Sequence, residues 1–137
     1  MYKFSKNSLR RLDTCECDLQ NLAKSAVINS PYDFMITHGH RTPEEQKALY
    51  DQGRTASGNI VTNCDGTVKK SKHNYLPSQA FDIAILVNGK VTWDVQYYKI
   101  VGNHIIETAK KLGIKVKWPI NIGKKNKPVY DWPHFEI

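Results

Sequence analysis

The fold of this chain is decided by the stretch Ala80-Phe81-Asp82-Ile83-Ala84-Ile85-Leu86-Val87-Asn88-Gly89-Lys90-Val91-Thr92-Trp93-Asp94. Residues 81–87 are almost wholly apolar, which predicts a buried strand. Asn88-Gly89 favours a two-residue hairpin turn, so residues 90–93 are predicted to return as an antiparallel strand. Asp94 then caps a helix with apolar positions from 98 to 112, and Gly113 ends it.

Patterns elsewhere supply the other elements. Apolar spacing predicts a helix after Asp18, and residues 32–37 predict a strand. Thr42-Pro43-Glu44-Glu45 predicts a capped helix that ends at Gly53, before a long loop that reaches Lys72. Further short strands are predicted at 60–62, 114–118 and 134–137. The predicted fold class is therefore α+β, with a small antiparallel β-sheet and helices packed largely on one side of it.

Composition limits the class of protein. The 137 residues predict one domain, 1–137, and no apolar run approaches the ~20 residues that cross a bilayer. The basic start lacks an apolar segment behind it, so no secretory signal is expected. A net charge of +7 favours contact with polyanions such as nucleic acid, anionic lipid or an acidic cell-wall polymer. Three cysteines do not make a disulfide framework, and Cys15-Glu16-Cys17 lacks the usual metal spacing.

His73, Asp82 and His134 are candidate metal ligands. Two imidazoles and one carboxylate can hold a zinc ion with one position left open. Asp82 lies within an apolar strand, where an unpaired carboxylate is costly to bury, so either a metal or a pairing Arg or Lys is expected beside it. Strand alternation places His134 and Glu136 on one face. The helical HExxH motif is absent, which excludes a thermolysin-like site.

Two further residues are candidates for catalysis. Trp132-Pro133 is expected to bend the chain so that Asp131 and His134 reach one site, where Asp131 can move a proton; the alternative is an exposed loop carboxylate. The guanidinium of Arg41 is suited to bind a scissile carbonyl oxygen or a substrate carboxylate. The alternative role for Arg41 is a surface ion pair with Glu44 or Glu45. His38 and His40 are expected near the cleft without being ligands, and His104 is expected to be structural.

Several segments occur in the order found in a known family. They are Thr37-His38-Gly39-His40-Arg41-Thr42-Pro43-Glu44-Glu45-Gln46, Gly53-Arg54-Thr55, Val61-Thr62, Ser71-x-His73, Ala80-x-Asp82 and Asp131-x-Pro133-His134-Phe135. On these the chain resembles zinc peptidases of the D-alanyl-D-alanine carboxypeptidase type, in the lysostaphin/carboxypeptidase/hedgehog fold group. It is most similar to the phage endolysins that are L-alanyl-D-glutamate endopeptidases, and the resemblance covers essentially the whole chain.

The resemblance implies a hedgehog/D-Ala-D-Ala peptidase-like fold and specific roles for these residues. Those roles are Zn²⁺ ligands for His73, Asp82 and His134, a catalytic acid/base for Asp131, oxyanion stabilisation for Arg41, and cleft or supporting positions for Ser71, Gln46 and His40. Two features depart from many relatives. Nine positions separate the first His from the Asp instead of seven, and Trp118-Pro119-Ile120-Asn121 replaces a Trp-Gly-Gly-Asp-Trp segment.

The implied function is zinc-dependent hydrolysis of peptidoglycan stem peptides, at the L-Ala–D-Glu bond, by a phage endolysin in host cell lysis. The alternatives are a D-alanyl-D-alanine carboxypeptidase or dipeptidase, and a non-catalytic basic cell-wall-binding protein. The expected partners are stem peptides and the anionic wall surface, with no specific nucleic acid and no separate wall-binding domain. We expect a monomer that stays in the host cytoplasm until it is released to the wall.

Overall fold

A computed structural model of the chain describes residues 1–62, 64–67 and 69–137. Within those ranges it forms four α-helices and six β-strands, and the predicted α+β class with an antiparallel sheet is confirmed. The helices are α1 (Lys6–Leu12), α2 (Cys17–Ile28), α3 (Pro43–Asp51) and α4 (Val95–Leu112). The strands are β1 (Asp33–His38), β2 (Ala80–Val87), β3 (Lys90–Thr92), β4 (Ile120–Asn121), β5 (Tyr130–Asp131) and β6 (His134–Glu136).

The central strand of the main sheet is β2, and every pairing in that sheet is antiparallel. Strand β1 lies along one edge of β2, from Asp33 opposite Leu86 to His38 opposite Asp82. The other edge is shared, because β3 pairs with the second half of β2 and β6 pairs with residues 80–82. The predicted hairpin joins β2 to β3, with φ of 52° at Asn88 and 78° at Gly89. Strands β4 and β5 form a separate two-stranded sheet.

The two faces of β2 have different surroundings. Phe81, Ile83 and Ile85 are fully buried in a core that also contains the apolar faces of α2 and α4. Since side chains alternate along a strand, Asp82 points away from that core, to the opposite face of the sheet. The strand therefore separates the hydrophobic core from a polar face.

Helices α3 and α4 begin with the predicted capping groups, whereas α2 begins at Cys17, before the expected Asp18, and has no side-chain cap. Thr42 and Glu45 form the capping box of α3, and Asp94 accepts a hydrogen bond from the N–H of Gln96 at the start of α4. Gly113 ends α4 with φ of 72°, a left-handed conformation that favours glycine. His104 of α4 donates from Nε2 to the carbonyl oxygen of Ala26 at 2.8 Å, so its expected structural role is met. None of the helices in the described ranges is long and apolar enough to cross a membrane.

Two predicted strands are wrong. Residues 60–62 form no strand: the Thr62 carbonyl oxygen accepts from the Arg54 side chain rather than from another strand, and the Thr62 hydroxyl accepts from Gln46. In residues 114–118 the expected alternation of burial is present, but only Lys117 pairs, with Glu136 of β6. The short helix α1 and the pair β4–β5 were not predicted.

Trp118 connects α4 to the segment that precedes β6. Its ring stacks on Phe135 at 5.5 Å between centroids, and its indole N–H donates to the carbonyl oxygen of Trp132 at 2.8 Å. The ring lies directly on Gly102 of α4, where an added Cβ would overlap it. The absence of a side chain at Gly102 thus sets the position of Trp118.

We expect Gly102→Ala to destabilise the protein by about 1–3 kcal/mol, because the overlap with Trp118 outweighs the gain of ~1 kcal/mol in helix propensity. The free energy of unfolding in urea measures this change. Asn103→Ala, at the next and exposed position of α4, is the control and is expected to be neutral or stabilising. Equal stabilisation of both variants would contradict the close packing of the Trp118 ring on Gly102.

Candidate functional site

Three donor atoms meet on the polar face of β2. His73 Nε2, His134 Nδ1 and Asp82 Oδ1 form a triangle in which each edge is 3.1 Å. The pairing of β2 with β6 places Asp82 and His134 directly opposite each other. A short 3₁₀ helix, Lys72–Asn74, carries His73 to the third corner. The structure thus brings together the three residues that the sequence predicted as metal ligands.

Both imidazoles have their second nitrogen engaged. His73 Nδ1 lies 2.7 Å from the carbonyl oxygen of Gly39, and His134 Nε2 lies 2.8 Å from Oε1 of Glu136. Because a carbonyl oxygen and a carboxylate only accept, these nitrogens carry protons, so in the neutral form of each ring the nitrogen that faces Asp82 is the one with the lone pair. Metal-binding histidines usually have this kind of outer partner, which fixes the tautomer and the ring orientation.

The triangle fits a zinc ion by its size and by its chemistry. A tetrahedral centre with bonds of ~2.0–2.1 Å keeps its ligand atoms roughly 3.3 Å apart, close to the 3.1 Å found here. Three acceptor atoms at this separation repel one another unless a cation or a proton lies between them. Two imidazole nitrogens and one carboxylate oxygen leave a fourth position open, as in catalytic zinc sites.

The other oxygen of Asp82 is bound by protein. Arg41 Nη2 donates to Oδ2 at 2.7 Å, and His38 Nδ1 lies 3.5 Å from the same atom. The sequence predicts either a metal or a pairing Arg or Lys beside Asp82. The structure contains the arginine at Oδ2, and Oδ1 remains directed at the two imidazole nitrogens. Burial acts to raise the pKa of Asp82, but the charges and hydrogen bonds of the neighbouring imidazoles outweigh it and hold this pKa well below its ordinary value.

The protonation of the two histidines differs because their neighbours differ. Burial is the main influence on His73, and it lowers the pKa of that imidazole. Burial also acts to lower the pKa of His134, but the hydrogen bonds of Asp82 and Glu136 outweigh it and raise this pKa. A proton on His134 Nδ1 therefore competes with a metal ion for the same lone pair.

Arg41 is buried, and its position depends on α3 and the long loop. Its Nη1 donates to Oε1 of Gln46 at 3.0 Å, while Gln46 donates to the Thr62 hydroxyl and the Cys64 carbonyl oxygen at 3.2 and 2.9 Å. Arg41 Nε is buried and has no hydrogen-bond partner among the described residues. The alternative of a surface pair with Glu44 or Glu45 is wrong.

Ser71 orients the segment that carries His73. Its hydroxyl accepts from the N–H of His73 at 3.2 Å, and its own N–H donates to Oδ1 of Asn74 at 2.8 Å. Asn74 in turn donates to the carbonyl oxygen of Arg41 at 3.0 Å, and Arg41 N–H donates to the His73 carbonyl oxygen at 2.7 Å. The segments around Arg41 and His73 are thus bonded to each other through both backbone and side chains.

A cleft of about 540 Å³ opens over the triangle. Residues of β1, α3, the long loop and the β4–β5 pair line it, together with Trp93 and Pro133. Residues that line it include Thr37, His38, Arg41, Val61, Thr62, Cys64, Lys69, Lys70, Ser71, Lys72, His73, Tyr75, Asp82, Trp93, Ile120, Asn121, Ile122, Asp131, Pro133, His134 and Glu136. Seven described residues of the long loop predicted between Gly53 and Lys72 therefore line the cleft, all of them in its second half. Asn63 and Val68 lie outside the described residues.

Asp131 lines this cleft and is largely buried, so it is not the exposed loop carboxylate of the alternative. Burial, followed by the negative charge of Asp82, raises the pKa of Asp131 to about 6. A carboxylate with a pKa this close to neutral pH can both accept and return a proton. Its position follows from β5, in which Asp131 pairs with Ile120, and from the bend at Trp132-Pro133.

Some candidate residues lie elsewhere. His40 Nδ1 is 3.0 Å from the carbonyl oxygen of Tyr75, and His40 is not among the residues that line the cleft. Cys15 is buried and Cys17 is exposed at the start of α2, so the structure gives no metal clip there. Glu136 and Trp93 are among the cleft residues for which the sequence predicts no role. The alternation of β6 already placed Glu136 on the face of His134, whereas no local pattern placed Trp93 in the cleft.

Two characterised proteins are similar to this chain in sequence. One is the L-alanyl-D-glutamate peptidase of Escherichia phage T5, which is 32% identical over 118 residues, or 85% of this chain and 79% of the phage protein. The other is the peptidoglycan L-alanyl-D-glutamate endopeptidase CwlK of Bacillus subtilis (strain 168). It is 38% identical over 123 residues, or 83% of this chain and 66% of CwlK.

The fold is also that of a solved structure. The L-Ala D-Glu endopeptidase ChiX of Serratia marcescens superposes with a TM-score of 0.73 over 98% of this chain and 90% of ChiX, at 23% identity. That likeness supports the fold alone. The family model described as phage L-alanyl-D-glutamate peptidase matches residues 1–137. The chain therefore belongs to the phage L-alanyl-D-glutamate peptidase family.

Proposed function

We propose that this protein is a zinc-dependent endopeptidase that hydrolyses the L-Ala–D-Glu bond of peptidoglycan stem peptides. The observation that carries the proposal is the 3.1 Å triangle of His73 Nε2, His134 Nδ1 and Asp82 Oδ1, which lies in the same cleft as Asp131. Family membership and the names of the two relatives supply the substrate.

The triangle residues would hold the zinc ion, and Gly39 and Glu136 would keep both imidazoles in the ligating tautomer. Zinc supplies Lewis acidity, which polarises a peptide carbonyl and makes water easier to deprotonate. The Asp131 carboxylate accepts the proton of the attacking water and later delivers it to the leaving amine nitrogen. Its pKa of about 6 suits both steps near neutral pH.

Arg41 has two proposed roles. Its Nη2 holds Asp82 Oδ2, so that only Oδ1 faces the metal position. The positive charge of the same guanidinium, at the cleft, would stabilise the oxyanion that develops on the scissile carbonyl. Gln46 and Ser71 are positioning residues: Gln46 orients Arg41, and Ser71 orients His73.

The setting of this activity is host cell lysis, with the protein acting as a phage endolysin on the cell wall. Its net charge of +7 favours association with an anionic wall. We propose that it acts as a monomer, because one chain supplies all three triangle atoms and Asp131.

The proposed function predicts the products of wall digestion. We expect the protein to release stem peptides that begin with D-Glu and to leave L-Ala on the glycan, and we expect a chelator to stop this and added zinc to restore it. Mass spectrometry of digested muropeptides measures both results. Release of terminal D-Ala with the L-Ala–D-Glu bond intact would overturn the assignment in favour of a carboxypeptidase.

Asp131→Asn is predicted to abolish turnover while zinc still binds with a stoichiometry near one, because the amide cannot accept a proton. In chelator-treated protein the same change should raise stability at pH 7.5 by up to about 3 kcal/mol. The sign follows from the raised pKa of about 6 in the folded state, since above that pH the charged carboxylate is buried at a cost. The gain should disappear as the pH falls through 6 towards 4.

Activity assays, zinc content and urea unfolding at several pH values test these statements. Asp13→Asn, which removes an exposed carboxylate at the end of α1, is the control for the pH trend. Wall lysis by Asp131→Asn near the wild-type rate would refute the role of Asp131 in proton transfer.

Glu136→Gln is predicted to weaken zinc binding by about 10–100-fold. The glutamine oxygen can still accept from His134 Nε2, so the ring keeps its orientation, but the loss of the charge makes the imidazole a poorer donor to the metal. Competition with a zinc-binding dye measures the affinity. Glu107→Gln, on the exposed face of α4, is the control, and equal affinity for the two variants would contradict this role of Glu136.

A further inference from the structure

Three lysines lie on one segment of the cleft wall. Lys69, Lys70 and Lys72 all line the cavity, on the segment that leads to His73. Trp93, Ile120 and Ile122 also line the cavity and carry no charge. Apart from Arg41, the permanent positive charges of the described cleft lining therefore all come from this one segment.

The backbone that carries these lysines is held in place on both sides. Asp65 Oδ1 accepts from the N–H of Lys69 at 3.0 Å, and Gly66 N–H donates to the Lys69 carbonyl oxygen at 3.1 Å. After Lys70, Ser71 caps the turn that contains His73. Since three residues span at most about 11 Å, the backbone of Lys70 lies within that distance of the backbone of His73.

The lysines differ in the partners of their ammonium groups. Lys72 Nζ donates to Oε1 of Gln79 at 3.1 Å, and Lys70 Nζ lies 5.6 Å from the ring centroid of the exposed Tyr75. In the described part of the chain no carboxylate forms an ion pair with Lys69 or Lys70. Arg41, the other permanent cation in the cleft, is bound to Asp82. Lys69 and Lys70 are therefore the cleft cations open to an incoming anion.

The proposed substrate brings such an anion with it. Glutamate has two carboxyl groups, and whichever of them continues the peptide, the other remains a free carboxylate within a few bonds of the scissile nitrogen. Asp82, Asp131 and Glu136 already place negative groups in the cleft, so this carboxylate is repelled unless a cation lies beside it.

We propose that Lys69 and Lys70 form a binding subsite for the free carboxylate of the glutamyl residue, so that the enzyme prefers glutamate to its amide at this position. The proposal rests on the proposed function, because it names the group of the stem peptide that Lys69 and Lys70 recognise.

The test uses two soluble stem peptides that differ in one group. One has the free glutamyl carboxylate, and the other has a carboxamide in its place. We expect the wild-type protein to have a higher kcat/KM for the acid, and we expect K69Q/K70Q to lower that value about 10-fold, mainly through KM. The amide should change by less than about twofold, so that the preference is lost. Raising the salt concentration should reduce the wild-type preference in the same direction.

The control is K124Q/K125Q, which removes two positive charges from the loop between β4 and β5, outside the cleft lining. It should keep the full preference for the acid. The zinc content of every variant is measured, because it distinguishes weaker substrate binding from loss of the zinc ion. Equal wild-type efficiency on acid and amide, or an equal loss on both in K69Q/K70Q, overturns the subsite while the proposed function stands. Failure of the wild-type protein to cut either peptide at the Ala–Glu bond overturns the proposed function and the subsite with it.

Discussion

Asp82 is a carboxylate on the central strand of a small sheet, and its apolar neighbours Phe81 and Ile83 belong to the core. A charge in such a place is costly unless every oxygen has a partner. Arg41 binds one oxygen, and the other faces the nitrogens of His73 and His134. The arginine needs Gln46 and the histidines need Gly39 and Glu136, so the partners of one carboxylate extend across the whole polar face.

The strand order explains why this charge lies where a reaction can take place. Strand β2 has β1 on one edge and β6 on the other, so Asp82 is reached from both sides: His38 lies opposite it in β1, and His134 in β6. Because β6 covers only residues 80–82 and β3 only 85–87, the edge between them is left to the Trp132-Pro133 bend. Ile83 N–H donates to the Pro133 carbonyl oxygen at 3.0 Å, which fixes the chain just after Asp131.

Much of the fold and the site could be predicted from the sequence, for physical reasons. The hairpin at Asn88-Gly89, the capping box of Thr42 and the end of α4 at Gly113 depend on local chemistry, and all three are confirmed. The acid within an apolar strand marked Asp82 as exceptional, because burial of an unpaired charge is so unfavourable. The predicted strands at 60–62 and 114–118 are wrong because a strand also needs a partner strand. The Thr62 carbonyl oxygen accepts from the Arg54 side chain, and within residues 114–118 only Lys117 pairs with another strand residue, Glu136. The apolar pattern of a segment does not contain the position of its partner.

The buried amide of Gln46 connects the loop wall of the cleft to Asp82, the proposed metal ligand. One end of this side chain holds the loop at Thr62 and Cys64, and the other holds Arg41, which in turn holds Asp82. The order of the loop and the geometry of Asp82, a proposed metal ligand, are therefore coupled. In the proposed enzyme such coupling would be reciprocal: a substrate that orders the loop wall would tighten metal binding by the same factor by which the bound metal would tighten substrate binding.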